Sequence, residues 1–180
     1  MNYPFILKFS SISNLTDARY AAGAWSDFIG FCFDPSSEHY IEPKSAKEII
    51  SWINGPVIVA EFGKQPIEWI KDFVEALDIK VIELPSDYSD ERILELGVKL
   101  ILKGNMENVP LFDSADLFLV EKMNDYLLLK EKTEKPIMLH VTEKQNLGQL
   151  DGVSLIGNRE LVVGMNSYEA WSAILEDYLN

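Results

Sequence analysis

The sequence predicts an α/β chain folded as a single compact (β/α)8 barrel of the TIM type over residues 1–180, and three observations predict it. Apolar runs of strand length alternate with segments of helical period along the chain, which implies a parallel sheet with right-handed crossovers. The runs number about eight, the count at which such a sheet closes on itself. No Gly-x-Gly-x-x-Gly turn follows the first run, which weighs against an open doubly wound sheet. Roughly 250 residues is typical for this barrel, so a chain of 180 residues closes only with minimal loops and some reduced helices.

The elements follow in order. Phe5 to Phe9 reads as a strand. Asn14, with Asp17 three residues on, is a helix N-cap, and Gly23 closes that helix. Asp27 to Phe33 is apolar on nearly both faces, as a buried parallel strand is. Ser45 to Asn54 is helical, with Ala46, Ile49, Ile50 and Ile53 on one side. Pro56 to Phe62 and Lys80 to Leu84 are strands, followed by helices over Pro66 to Leu77 and Ser89 to Leu96. The second half repeats the pattern less cleanly. Strands span Val98 to Leu102 and Asp116 to Val120, with a short helix or irregular crossover over Met106 to Phe112 between them. A helix from Met123 to Thr133, a strand from Pro136 to Val141, a weak segment over Glu143 to Leu150 and a strand from Gly152 to Ile156 follow. Asn166, with Glu169 as capping partner, opens a last helix to Tyr178.

Composition narrows the function. The chain carries 29 acidic and 16 basic residues, a formal net charge of -13, which argues against a protein that tracks nucleic-acid phosphates. A local cationic site for a small phosphorylated ligand is compatible with that balance. The single cysteine, Cys32, permits no internal disulfide and fits a reducing cytoplasm. Met1-Asn2-Tyr3-Pro4 has neither a basic n-region nor a long apolar run, and no segment approaches the roughly 18 apolar residues of a membrane span. His39 and His140 are the only histidines and no His-x-x-x-His or Cys-x-x-Cys pair exists, so no metal site and no cofactor is expected.

A barrel enzyme places its reacting groups at the C-terminal ends of its strands. Here those positions hold Ser10, Asp34, Phe62, Pro85, Lys103, Glu121, then His140 and Thr142, and lastly Gly157 to Arg159. Several have a plainer reading. Ser10-Ser11-Ile12-Ser13 reads first as a polar loop entering the helix capped by Asn14, and second as the start of a site. Cys32 sits in an apolar run and reads as core. His39 reads as a surface loop residue, and Glu121 before Lys122 as a solvated strand end. Lys103 is the best candidate for a ligand contact, because a lysine at a barrel mouth suits an anion, and Arg159 is the second. Trp25, Trp52, Trp69 and Trp171 read as helix-to-barrel packing or a subunit interface.

The stretch Lys8-Phe9-Ser10-Ser11-Ile12-Ser13-Asn14-Leu15-Thr16-Asp17-Ala18, with Gly23-Ala24 and Asp27 to Phe33, resembles the opening β-α-β unit of the phosphoribosylanthranilate isomerase family of tryptophan biosynthesis. The resemblance is best over residues 5–46, including Asp34-Pro35-Ser36-Ser37-Glu38-His39-Tyr40-Ile41, and stays in register to Lys103. It implies the barrel, an Amadori rearrangement, no cofactor, and a small phosphorylated metabolite as ligand. It also implies a cysteine base in the family's Lys-Ile-Cys-Gly-Ile-Thr, an aspartate acid after strand six and an arginine that holds anthranilate. In this chain those positions are Ser10, Val120 or Glu121, and His39. The double glycine after strand seven is replaced by His140-Val141-Thr142, and the Gln-x-His of strand four by Ile82-Glu83-Leu84. Gly157 and Glu160 resemble what remains of a Ser-Gly-x-Glu segment, and Gly164 the glycine before the last helix. By position the expected catalytic pair is Ser10 and Glu121, and the expected substrate contacts are Lys8, His39, Lys103, Gly157 and Arg159. A serine hydroxyl cannot act as a base without a partner base. The expectation is therefore a diverged member with the isomerase reaction lost or strongly reduced. The alternatives are a working isomerase with an altered acid and base, and a non-catalytic interaction scaffold. A cytoplasmic monomer or homodimer is expected.

Overall fold

The computed structural model of the chain describes residues 3–143, 149–157 and 168–176. Eight parallel strands pair in chain order and close: β1 (Ile6–Ser10), β2 (Phe28–Cys32), β3 (Val57–Glu61), β4 (Val81–Pro85), β5 (Lys99–Lys103), β6 (Leu117–Val120), β7 (Ile137–His140) and β8 (Gly152–Ile156). Closure runs over the whole of β1, from Ile6 opposite Gly152 to Ser10 opposite Ile156. Each strand falls within a residue or two of its sequence expectation.

Helices α1 (Leu15–Gly23), α2 (Pro43–Ile50), α3 (Ile67–Ala76), α4 (Met123–Lys130) and α5 (Glu169–Leu175) pack outside the strands. The Asn14 side chain accepts from the Asp17 N–H at 2.8 Å, the expected N-cap. The left-handed residue that ends this helical turn is not Gly23 but Trp25, at φ 58°. One expected helix shrinks, and of the two readings of Met106 to Phe112 the irregular crossover holds. Glu91–Leu96 is a 3-10 turn stopped by Gly97 at φ 63°, and the β5-to-β6 crossover is irregular apart from a 3-10 turn at Phe112–Ser114. These reductions let so short a chain close. The Asn166 cap lies outside the described residues.

Alternation along the strands separates two apolar layers. Side chains pointing outward join the helices in one large cluster that includes Phe9, Phe31, Ile70, Phe118 and Trp171. Side chains pointing inward fill the lower barrel: Val59, Val81, Ile101, Leu117, Leu119 and Met138, flanked by Ile6 and Phe28. The tryptophans divide. Trp171 stacks edge-on against Phe9 and Trp69 lies against Phe73, as packing residues. Trp25 and Trp52 are 66% exposed and do not pack the barrel, and the Arg19 guanidinium lies over the Trp52 ring.

One device recurs at the N-terminal rim. An aspartate just before an even-numbered strand accepts the N–H of a residue on the preceding odd strand: Asp27 from Leu7 at 2.8 Å, Asp116 from Leu100 at 2.8 Å, and Asp151 from Ile137 at 3.1 Å. Each bond satisfies a donor that the parallel ladder leaves open at the strand start. Asp116→Ala is expected to lower the free energy of unfolding by about 1–3 kcal/mol. Urea titration of the two proteins measures it, and coincident curves would show that the bond contributes nothing.

Candidate functional site

Above the apolar lumen the inward-facing residues turn polar. Lys8 on β1 is 0% exposed, and its ammonium donates to Glu61 Oε1 at 2.5 Å, Glu83 Oε2 at 2.6 Å and Ser10 Oγ at 2.6 Å. An ammonium has three N–H donors, so the protein occupies all of them. Burial works against the charge on Lys8, but Glu61 and Glu83 outweigh it and hold the group above its ordinary 10.5. Burial likewise pushes the Glu61 carboxyl up. Lys8 and Lys103, with hydrogen bonds from Lys8 and Ser11, prevail and hold it below its ordinary 4.5.

Two backbone features make room for this carboxylate. A Cβ on Gly30 would lie 1.8 Å from Glu61 Oε1, so the missing side chain on β2 is the space that Glu61 fills. Ser11 takes a left-handed φ of 55°, and from there its N–H and Oγ donate to Glu61 Oε2 at 3.0 and 2.8 Å. The family motif has glycine at this position, the residue that adopts such a φ without strain.

Ser10 is the last residue of β1 and 2% exposed, which corrects the reading of it as a polar loop. Its Oγ accepts from the Lys8 ammonium and shares a 2.8 Å hydrogen bond with Ser154 Oγ on β8. Neither neighbour is a base. His140 Nδ1 bonds the Ser154 carbonyl at 3.0 Å, and burial, reinforced by Lys103, keeps the ring below its ordinary 6.5 and so neutral at pH 7.

A cavity of about 520 Å³ opens over this layer at the C-terminal mouth, so the mouth is not plugged by side chains. His39, Lys103 and Glu121 line it, together with Glu61, Glu83, Asp34 and Asp125. Asp34 Oδ1 accepts from Ser36 and from Gln65 Nε2, which fixes that carboxylate at the rim. Cys32 is buried as expected, yet it also lines the cavity, and burial pushes its thiol above its ordinary 9.0. Lys8 lies one layer below the ligand surface rather than on it. The Gly157 N–H donates to the Ser10 carbonyl at 2.7 Å, and a Cβ there would meet the Ser11 carbonyl at 2.8 Å, so this glycine closes β8 onto β1. Arg159, Glu160 and Gly164 lie outside the described residues. Sequence reasoning missed Glu61, although a readable signal existed: one cation and two anions stand inside otherwise apolar strands at inward-facing positions.

No protein-family model matches the chain. A curated N-(5'-phosphoribosyl)anthranilate isomerase from Desulfitobacterium hafniense is 39% identical over 107 residues, 58% of this chain and 44% of that protein. Over that stretch the chain is similar in sequence to phosphoribosylanthranilate isomerases. It spans about half the length of the curated relatives it matches. Among solved structures, the phosphoribosyl anthranilate isomerase from Thermus thermophilus superposes with a TM-score of 0.76 at 20% identity, covering 96% of this chain and 97% of that one. Another family structure holds reduced 1-(o-carboxyphenylamino)-1-deoxyribulose 5-phosphate and superposes with a TM-score of 0.76 at 19% identity over 96% and 97% of the two chains.

Two outcomes test the buried layer. Lys8→Met leaves two buried carboxylates without a counter-charge and is expected to cost about 3–5 kcal/mol in urea unfolding. Adding Glu61→Gln and Glu83→Gln is expected to recover most of that loss, and a triple variant no better than the single one would show that charge is not the cause. The contribution of Glu61 is complete above pH 4.5 and is lost as the pH falls through its lowered folded value. That of Lys8 is complete below pH 10.5 and is lost only above it. Below pH 4.5 the thermal midpoint of the wild type is therefore expected to fall more steeply than that of Glu61→Gln, and parallel profiles would contradict this.

Proposed function

We propose that this chain, read as one barrel domain, is a family member in which the isomerase reaction is lost or nearly lost and the barrel mouth persists as a small-ligand site. The observation that carries the reading is the state of Ser10. The Amadori rearrangement, in which an aminoaldose becomes an aminoketose, needs a base to take the C2′ proton and an acid to open the ring. At the base position stands a hydroxyl held between an ammonium and a second hydroxyl. Its proton has no acceptor stronger than Ser154, and the nearby carboxylates are engaged by Lys8. At the acid position Glu121 is exposed at the rim, and at the clamp position His39 offers no two-pronged guanidinium. Each well-placed acid or base contributes roughly 10²- to 10⁴-fold, so loss of both leaves little turnover.

The ligand held by the family structure carries a phosphate. Lys103, which lines the cavity, is the described candidate to meet such a group here, with Gly157 and Arg159 as the expected neighbours. A working isomerase with Glu121 as acid is the second reading, favoured by one observation: Glu121 and the buried carboxylate Glu61 line the same cavity. No helix among the described residues is long and apolar enough to cross a membrane, which is compatible with a cytoplasmic protein. A family structure from Thermotoga maritima is described as monomers of a dimeric enzyme, and a monomer or homodimer is proposed here.

Complementation of a bacterium lacking this isomerase, on medium without tryptophan, tests the reading. The wild-type chain, expressed and soluble, is expected not to support growth. Growth would overturn the proposal and make Ser10 and Glu121 the residues to dissect. Growth with Ser10→Cys alone would show that one lost base accounts for the silence.

A further inference from the structure

Two tryptophans lie at the end of the barrel opposite the mouth. Trp25 stands between α1 and β2 and Trp52 between α2 and β3, the connections that a parallel barrel places at the N-terminal end of its strands. Each is 66% exposed, and Val57 at the start of β3 is 42% exposed. Trp25 also carries backbone strain. Glycine adopts its φ of 58° freely, and a bulky side chain does so only at a cost. A strained residue whose ring lies largely in solvent points to a use outside its own fold.

Beside this ring lies a hollow of about 380 Å³. It opens between the last turn of α1, at Ala22 and Gly23, and the turn before β3, at Asn54, Gly55 and Pro56, with Trp25 as one wall. Pockets of roughly 300 Å³ and more hold drug-sized groups, so an indole ring fits. No charged side chain among the described residues lines the hollow. On a chain with a formal net charge of -13, this is ground where a second acidic surface meets little repulsion. The exposed Arg19, one turn before Ala22 on α1, lies over the Trp52 ring and adds a positive group at the border.

We infer that the N-terminal face is a two-fold interface between two copies of this chain, in which Trp25 of each copy enters the hollow of the other. Knob and hollow belong to one patch, and that self-complementarity is what a two-fold contact requires and a contact with a different partner does not. At 66% exposure the two indoles present roughly 200–300 Å² of apolar surface per copy. That suffices for the buried centre of an interface of roughly 800 Å² per partner, where aromatic anchors carry most of the affinity. The inference goes beyond the reading of the mouth and commits the chain to the homodimer.

Sedimentation equilibrium of the full chain at micromolar concentrations tests it. The wild type is expected to reach twice the chain mass, at lower concentration as salt is raised, because salt screens the repulsion between two acidic chains. Trp25→Asn removes the knob with a residue that accepts a left-handed backbone. Truncating an aromatic anchor weakens binding roughly thirtyfold and acts twice in a two-fold contact, so the dimer is expected to weaken about a thousandfold. Gly23→Gln fills the hollow instead. A Cβ there meets nothing within 4 Å, so the fold is spared and the same loss of dimer is expected, which decides the matter even where Trp25→Asn fails to fold. Leu127→Gln with Leu128→Gln, exposed on α4, is expected to leave the dimer intact. A wild type that is not a dimer, a dimer that salt weakens, a dimer that survives either folded variant, or one lost in the α4 variant overturns the inference. Growth in the complementation experiment bears on the mouth alone, so the two readings fail separately.

Discussion

The buried ammonium of Lys8 is the interaction on which the upper half of the barrel depends. Glu61 and Glu83 come from adjacent strands and face inward in one layer, where two carboxylates without a cation would repel each other in a medium that screens poorly. Lys8 reaches them from β1 and takes Ser10 as its third acceptor. Through Ser10 the same network touches Ser154 on β8, so strands β1, β3, β4 and β8 are tied across the lumen by side chains as well as around it by the ladder.

The same network defines what the mouth leaves open. Ser10, at the end of β1, belongs to the buried layer, and the polar surface that remains lies largely on the walls that follow β3, β4 and β6. Among the described residues the carboxylates that face the mouth outnumber the lysines. The lower lumen shares no described residue with the mouth, and the outer jacket shares only Phe62 and Leu84 with it, so most of the apolar burial is independent of the groups that face the cavity.

Much of this was legible in the sequence. Period alone located all eight strands, because a buried parallel strand reads as an unbroken apolar run. The Asn14 cap was visible as residue chemistry. Helix extent was less readable. In Glu91–Leu96 the helical pattern folds as a 3-10 turn, while the segment before Phe112 carried too weak a pattern to choose between a short helix and the irregular crossover that forms. Among site residues, Lys103 and Glu121 were located at the mouth by their position after strands, whereas His39, which reads as a surface loop residue, was pointed to by the family resemblance alone. The buried triad was harder to see, since its members lie 53 and 75 residues apart from Lys8 and only the closed barrel brings them together. Of the two readings of Trp25 and Trp52, barrel packing fails and a subunit interface stays open, because helical spacing cannot tell a jacket-facing ring from one left on the surface.

The notch at Gly30 and the carboxylate of Glu61 are coupled. The two positions form a lock and its key: a Cβ at 30 would lie 1.8 Å from Glu61 Oε1, so a side chain there moves the carboxylate off Lys8. A single added methyl group on β2 is therefore felt at once on β1 and β3, through a layer to which Gly30 contributes no side chain of its own.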